Sequence, residues 1–597
     1  MKNIINILCL VMVAALFSCE DYLVTPAQST AESSVIFSSY DLAKGAIDGI
    51  KEPFSQTNAH RSRFVPYYGF NTDIEFLYKS TEGEFDNDGS LALYCATPEN
   101  GRMNNSNDTW AMMYQAIERA NQAIEGLKTY GDIENDADMA RLYGEALTLR
   151  AICYGDLLKG WGDVIERFEP ITAETVYKAK GSRDVVYKQL ISDLEEAQNY
   201  LDWPNASEAY STVETANLAF VKAYRARLCM VAAGYSQYPD GVRLSNDADL
   251  SVEKMYPIAL AECKAVMAQE GISVNLEDEF ETVFRKNCED NISAGGESFW
   301  EIPWANTRGR YVSSFGVKHN SADQYTGTGR GGSAGPNPHL FYDYDVKDKR
   351  RDVSIVPYYW DNADPGTGIA KQKLSSIDKL YFGKLRYEWM IRQTSSSDDG
   401  VNKQYLRYAE VILMAAELEN ELNGPTAAAP YLKKIRQRAF DQADWAEKVD
   451  AYVDALTTKE AMFNAIVDEH AFEFCGEMVR KQALIRWNLL GDKMDEAKAK
   501  MYELQTRTGR YADVPETVYY SIAEDGESLE MYGLNRGELD DKSNEYESNT
   551  VWVDVEDLSN DRIESLYVND PDTKQFWPIW EKFISASNNT LVNDYGY

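Results

Sequence analysis

The chain has 597 residues, with 96 acidic against 60 basic side chains and a formal charge of −36. A surface this acidic repels phosphate backbones and anionic headgroups, which argues against nucleic-acid binding and against electrostatic membrane binding. The length admits several domains or one large helical array, with ample material for a core.

Residues 1–18 begin with Lys2 and an apolar run from Ile4 to Phe17, interrupted by Asn6, the layout of a secretory signal. That run is shorter than the ~20 apolar residues a membrane-spanning helix needs. It closes with Leu16-Phe17-Ser18-Cys19, which resembles the bacterial lipobox. Cys19 is therefore expected to be acylated and to head a mature chain, 19–597, whose membrane contact is the lipid alone. The acidic Glu20-Asp21 that follows resembles a signal for export to the cell surface.

From Asp108 onward Trp110, Tyr114, Ile117, Ala120, Asn121 and Ile124 recur at three- and four-residue spacing, which predicts one face of a helix. Residues 139–161 repeat the pattern with Leu142, Ala146, Leu149, Cys153 and Leu157, after a turn near Gly131. Together they predict a helical hairpin, the unit of tetratricopeptide-like arrays. Residues 183–201 and 216–234 predict a second hairpin, 403–422 and 426–440 a third, and 461–475 and 477–490 a fourth that breaks near Gly476. The strict repeat consensus is missing, so the predicted fold is mainly α, an irregular tetratricopeptide-like scaffold. Hairpins occupy about 108–235 and 403–490 of a single domain, 19–597.

Two stretches, about 236–400 and 496–575, are rich in turn residues and predict loop-rich insertions, most plainly from Gly327 to Pro338. Long insertions on a regular scaffold commonly carry function. They hold part of an unusual aromatic supply, 39 tyrosines and 12 tryptophans in all, including Trp300, Trp304, Tyr311, Tyr325, Tyr358, Tyr359 and Trp360. A flat ring suits the C–H face of a sugar, and nearby Asn, Asp and Arg groups suit its hydroxyls.

Cys95, Cys153, Cys229, Cys263, Cys288 and Cys475 are scattered over a chain that can bury its own core, so free thiols are expected rather than a disulfide framework. His60, His319, His339 and His470 stand apart and no pair of cysteines has zinc-type spacing; no cofactor or transition metal is expected. Oxygen ligands for calcium occur at Asp86, Asn87 and Asp88 and at Asp343 and Asp345, without an EF-hand pattern.

Taken in order, Cys19-Glu20-Asp21-Tyr22-Leu23, Trp110 to Asn121, Gly144-Glu145-Ala146-Leu147-Thr148-Leu149-Arg150-Ala151, Trp161-Gly162-Asp163, Asp348 to Arg351, Leu406-Arg407-Tyr408-Ala409-Glu410, Arg436 to Ala439, Asp468 to Arg480 and Arg486-Trp487 resemble the SusD/RagB-type outer-surface nutrient-binding lipoproteins of the Bacteroidetes. The end departs from that pattern, with Pro578-Ile579-Trp580 and Asn593-Asp594-Tyr595-Gly596-Tyr597, so the docking of the C-terminus is left open. Arg150, Arg407, Glu410 and Glu417 read as scaffold, placed for ion pairs between helices.

The resemblance implies a non-enzymatic protein of the outer membrane that captures oligosaccharide and presents it to a SusC-like TonB-dependent transporter. It also implies ligand contacts from the loop before the Trp110 helix, here Tyr78, Tyr94, Arg102 and Asn104, and from the first insertion, here Trp304, Arg308, Tyr311 and Tyr325. No GxSxG, HExxH, P-loop or dinucleotide fingerprint stands in a convincing context. Two other classes stay open on the residues: a lipid-anchored glycoside hydrolase, because carboxylates abound, and a helical-repeat scaffold that binds only proteins.

Overall fold

The structure, a computed structural model, describes residues 32–78 and 87–597. The leader, Cys19 and Asp86 lie outside the described residues. The scaffold is a succession of helices, which we label α1 Tyr40–Lys51, α2 Thr109–Tyr130, α3 Ala137–Trp161, α4 Arg183–Ala197, α5 Leu218–Ala232, α6 Val252–Met267, α7 Phe280–Cys288, α8 Tyr408–Asn423, α9 Pro425–Ala439, α10 Lys459–Phe474, α11 Arg480–Arg486 and α12 Leu490–Gln505. Side-chain caps fix several starts, because an oxygen one residue before the helix satisfies a backbone N–H that has no partner within it. Asp108 accepts from the Trp110 amide, Asp136 from Asp138 and Met139, Ser182 from Asp184, Asn217 from Phe220, and Thr458 from Ala461.

Apart from α7, the helices from α1 to α9 pack on their neighbours in chain order: α2 on α1 and α3, α3 on α4, α4 on α5, α5 on α6, α6 on α8, and α8 on both α9 and α10. Helix α3 is the centre, buried on every side from Leu142 to Leu158. The face predicted on α2 is the one that packs: Trp110, Ile117, Ala120 and Asn121 are buried, and Tyr114 and Ile124 press against the core. The mainly α scaffold predicted from periodicity is thus present, with few and short strands.

Four differences from the sequence reading have local causes. Residues 403–407 are a strand, not the start of a helix; Lys403–Arg407 pairs antiparallel with Ser298–Ile302, and the helix begins only at Tyr408. The first insertion is more regular than its composition suggests, because α6 and α7 lie inside it. In the last hairpin, α11 stops at Arg486 and α12 runs on to Gln505, ten residues into the second insertion. That insertion also holds a three-stranded antiparallel sheet with Thr517–Ile522 in the middle, flanked by Leu529–Tyr532 and Ser548–Val551.

Buried charge locks the hairpins together. Arg150 on α3 donates to Asp193 on α4 at 2.9 Å, Arg227 on α5 to Glu410 on α8 at 2.6 Å, and Arg486 on α11 to Glu417 on α8 at 2.6 Å. Arg407 donates to Glu297 at 2.6 Å and Glu473 at 2.7 Å, both out of water, and to the half-buried Glu477 at 2.8 Å. Burial alone would raise the Glu473 carboxyl, but Arg438, Arg407 and Arg350 hold it well below the usual range. The C-terminus, left open by the sequence, is docked: Trp161 donates to the Pro578 carbonyl at 2.9 Å, and the Tyr595 hydroxyl meets Arg183 at 2.6 Å and the Asp163 amide at 3.1 Å. Cys153, Cys229, Cys263, Cys288 and Cys475 are buried free thiols and Cys95 is a half-buried one. Among the described residues, no helix is long and apolar enough to cross a membrane.

Candidate functional site

The eight residues picked out by resemblance divide sharply. Tyr94, 3 % exposed, adopts φ 60° and donates its hydroxyl to the Asn71 carbonyl, while the Lys481 ammonium sits 4.3 Å from its ring centroid and 4.4 Å from that of Tyr68. Tyr311, 2 % exposed, donates to the His60 carbonyl. Trp304, 8 % exposed, lies against the Gly309 backbone, where a Cβ would come within 2.8 Å of the indole. These three rings are interior walls, Tyr94 and Tyr311 pinned by long-range contacts invisible in the local sequence and Trp304 by its own turn. Tyr78 is half-buried, with its hydroxyl bonded to the Leu380 carbonyl and its ring edge-on to Tyr381.

Arg102 is exposed and pairs with Asp88 at 3.3 Å; the Asn104 side-chain oxygen Oδ1 accepts from the Lys582 backbone amide, so that loop braces the C-terminal segment. Arg308 is half-buried on the turn between Trp304 and Gly309. The proposed calcium oxygens are engaged elsewhere. Asp343 accepts from Tyr511, Lys500 and His339, Asp345 pairs with Lys448, and the Asn87 side chain accepts from the Gly101 amide. Lysines and a histidine thus stand where a cation would have to stand. Among the described residues no group of three or more His, Cys, Asp or Glu side chains is placed to hold a metal ion.

Tyr325 is the residue around which a surface forms. Its ring meets Trp360 at 4.9 Å, and Tyr358 meets Trp360 at 6.5 Å, edge-on. Tyr358 and Trp360 are alternate residues of the strand Tyr358–Trp360, which pairs with Gln372–Leu374, so they project to the same side, and Tyr359 projects to the other. Tyr325 and Tyr358 are half-buried, and Trp360, 2 % exposed, is the floor beneath them; Tyr359, also half-buried, lies on the other side of the strand, with the Lys318 ammonium 5.5 Å from its ring centroid. Polar groups ring the edges. Gln324 donates to Glu527 at 2.9 Å, the Tyr325 hydroxyl lies 3.4 Å from the same carboxylate, and Arg386 reaches the Tyr358 hydroxyl at 3.3 Å. Burial and the Glu527 charge push the Tyr325 phenol up to about 12.

Under the rings His319 stacks on Trp360 at 5.9 Å. Its Nδ1 is 2.7 Å from Asp323 and its Nε2 is 3.7 Å from Glu388, and Glu388 also accepts from the Trp360 indole at 2.8 Å. Burial would lower the imidazole pKa, but hydrogen bonds and charge from Asp323 and Glu388 raise it above its ordinary value. In return, Glu388, which burial would raise, is held low by His319. His319, held between two carboxylates, therefore fixes the floor. Flat half-exposed faces edged by amide, carboxylate and guanidinium groups suit a polyol ring, which presents C–H faces to the aromatics and hydroxyls to the rim.

Glu527, Gln324, Arg386 and Glu388 were not among the residues expected from sequence. Glu527 comes from a hairpin turn some two hundred positions after Tyr325, and no local signal connects them. Tyr358, Tyr359 and Trp360 did carry a signal, the Tyr-Tyr-Trp run in a loop-rich segment, although the resemblance did not assign them.

Two family profiles match the chain: the SusD family over residues 280–597, and a family described as starch-binding associating with outer membrane over residues 67–228. The chain belongs to the SusD family. Among relatives of this SusD-family chain, SusD-like protein P25 of Formosa agariphila is 23 % identical over 527 residues, spanning 84 % of this chain and 93 % of the relative. A SusD homolog from Bacteroides thetaiotaomicron shares the fold with a TM-score of 0.71 at 16 % identity, covering 94 % of this chain and 98 % of that one. Surface glycan-binding protein A from Bacteroides thetaiotaomicron, solved in complex with laminarihexaose, is similar with a TM-score of 0.60 at 17 % identity, over 93 % of this chain and 99 % of its own.

Proposed function

We propose that this SusD-family protein is a non-enzymatic, cell-surface glycan-binding lipoprotein. It is anchored to the outer membrane through acylated Cys19 and hands oligosaccharide to a SusC-like TonB-dependent transporter. The observation that carries the binding step is the half-exposed pair of Tyr325 and Tyr358 over Trp360, edged by Gln324, Glu527 and Arg386. Stacking supplies affinity that tolerates different sugars, and the rim selects by hydrogen bonding. Of the eight residues first expected to touch ligand, Tyr325 keeps that role.

Membership of the family supports this reading, and so does the laminarihexaose held by one structural relative. The outer-membrane association in the description of the profile over residues 67–228 supports the location. A lipid tether would confine the protein and a transporter to one membrane and raise their effective concentration without any new contact.

The test uses native gels cast with amylopectin, laminarin, xylan or galactomannan, run beside an assay for new reducing ends. At least one polysaccharide is expected to retard the protein while no reducing ends appear. Cleavage of the retarding polysaccharide would make it an enzyme, and free migration through every gel would remove the glycan reading.

A further inference from the structure

The three-stranded sheet of the second insertion has two unlike faces. Tyr520, Leu529 and Met531 on its inner face pack against the core. On the outer face Tyr519 lies directly across from Tyr532 in the register of the two strands. The Tyr532 ring is near-parallel to Tyr546, with centroids 6.5 Å apart and planes 27° apart. Side chains alternate along a strand, so the outer tyrosines have no part in holding the sheet to the scaffold. All three are partly exposed and lie outside the core and its packed rim. Two are oriented by acids at their edges, with the Tyr519 hydroxyl 3.2 Å from Asp541 and the Tyr532 hydroxyl 3.4 Å from Asp540.

The sheet is joined to the aromatic surface already described. The turn between its first two strands carries Glu527, whose carboxylate receives Gln324 and the Tyr325 hydroxyl, and whose carbonyl receives the Gln372 amide. The Leu529 amide in turn donates to the Gln372 side chain at 3.0 Å. From that turn, the Tyr519–Tyr532 pair is three register pairs along the hairpin, about 10 Å at the rise of an extended chain. One element therefore rims the first surface and presents a second set of rings beyond it.

We infer that the outer face of this sheet, through Tyr519, Tyr532 and Tyr546, is a second glycan-binding platform that takes the continuation of a chain seated on Tyr325 and Tyr358. This rests on the glycan reading proposed above and names the ligand more closely, as an extended neutral polysaccharide. Neutrality follows from the surroundings: Glu530, Glu538, Asp540, Asp541 and Glu545 stand on or beside the sheet, and the two cations among them are already paired, Lys542 with Glu545 at 2.9 Å and Arg536 with Asp513 at 2.9 Å. A uronate or sulfated chain would meet like charge there. Flat phenol rings at successive places along a sheet suit the repeating C–H faces of a sugar chain, each ring adding a modest increment and their linkage raising the total.

Retardation in the same four polysaccharide gels tests this with three proteins: wild type, the triple variant Tyr519→Ala/Tyr532→Ala/Tyr546→Ala, and the double variant Tyr325→Ala/Tyr358→Ala. The triple variant is expected to keep the wild-type melting temperature and to bind the retarding polysaccharide roughly tenfold more weakly. Wild-type retardation of the triple variant overturns the second platform and leaves the first standing. Loss in the triple variant with none in the double variant removes the Tyr325 site and overturns the continuous path, leaving the sheet as a glycan site by itself. Free migration of the wild type in every gel overturns both.

Discussion

His319 shows how much of the candidate site depends on one side chain that no ligand would touch. It is enclosed by Asp323, Glu388, Trp360, Tyr325 and Tyr387, and its raised pKa means that the folded protein holds this proton more tightly than the unfolded chain does. The associated stabilisation is complete below the ordinary histidine value of about 6.5 and is lost as pH rises through the raised folded value. The melting temperature of the wild type should therefore fall over that interval, and His319→Gln, which has no proton to lose, should flatten that part of the profile. Parallel curves for the two proteins would show that the imidazole is not charged in the fold. The role was unreadable in sequence, where His319 is an isolated histidine: Asp323 is four residues away, but Glu388 and Trp360 come from separate segments.

Among the elements, α3 is the most demanding, because helices approach it from several sides. At Gly155 an added Cβ would sit 2.0 Å from the Tyr224 hydroxyl of α5. Gly155→Ala should thus destabilise the protein by about 1–3 kcal/mol, the usual cost of overpacking. Gly45, exposed within α1, has nothing within 4 Å of the same added atom, and Gly45→Ala should stabilise by about 0.5–1 kcal/mol through backbone entropy and helix propensity. Chemical denaturation of the two variants checks both signs, and equal shifts would contradict the packing described for α3.

The helices were legible because an amphipathic or buried helix repeats its apolar residues at a period that survives without knowledge of the partner. The strand Lys403–Arg407 was not, since it runs without a turn residue into Tyr408 and its partner, Ser298–Ile302, lies about a hundred positions earlier. The sheet that carries Glu527 was hidden for a related reason. Its strands are short, and its inner face is made of Tyr520, Met531 and Leu529 in a segment otherwise acidic and polar.

For the whole molecule, ordered motifs and helical period together pointed to the family and the mainly α scaffold, and the match over residues 280–597 agrees with them. The ligand surface was much less accessible. Ring exposure depends on which distant carbonyl a phenol reaches: His60 takes Tyr311 and Asn71 takes Tyr94, whereas Tyr325 turns to the rim at Glu527. Abundance of tyrosine in a loop therefore marked the region without separating wall from platform. On the function proposed above, the Tyr325 and Tyr358 faces hold sugar. Calorimetry tests it most directly, using the protein that lacks residues 1–19, the best neutral oligosaccharide from a glycan array, and Tyr325→Ala/Tyr358→Ala as comparison. Binding by the wild type, and a roughly thirtyfold weaker affinity in the variant at unchanged melting temperature, is the predicted result; equal affinity of the two proteins, or no glycan held by either, would contradict it.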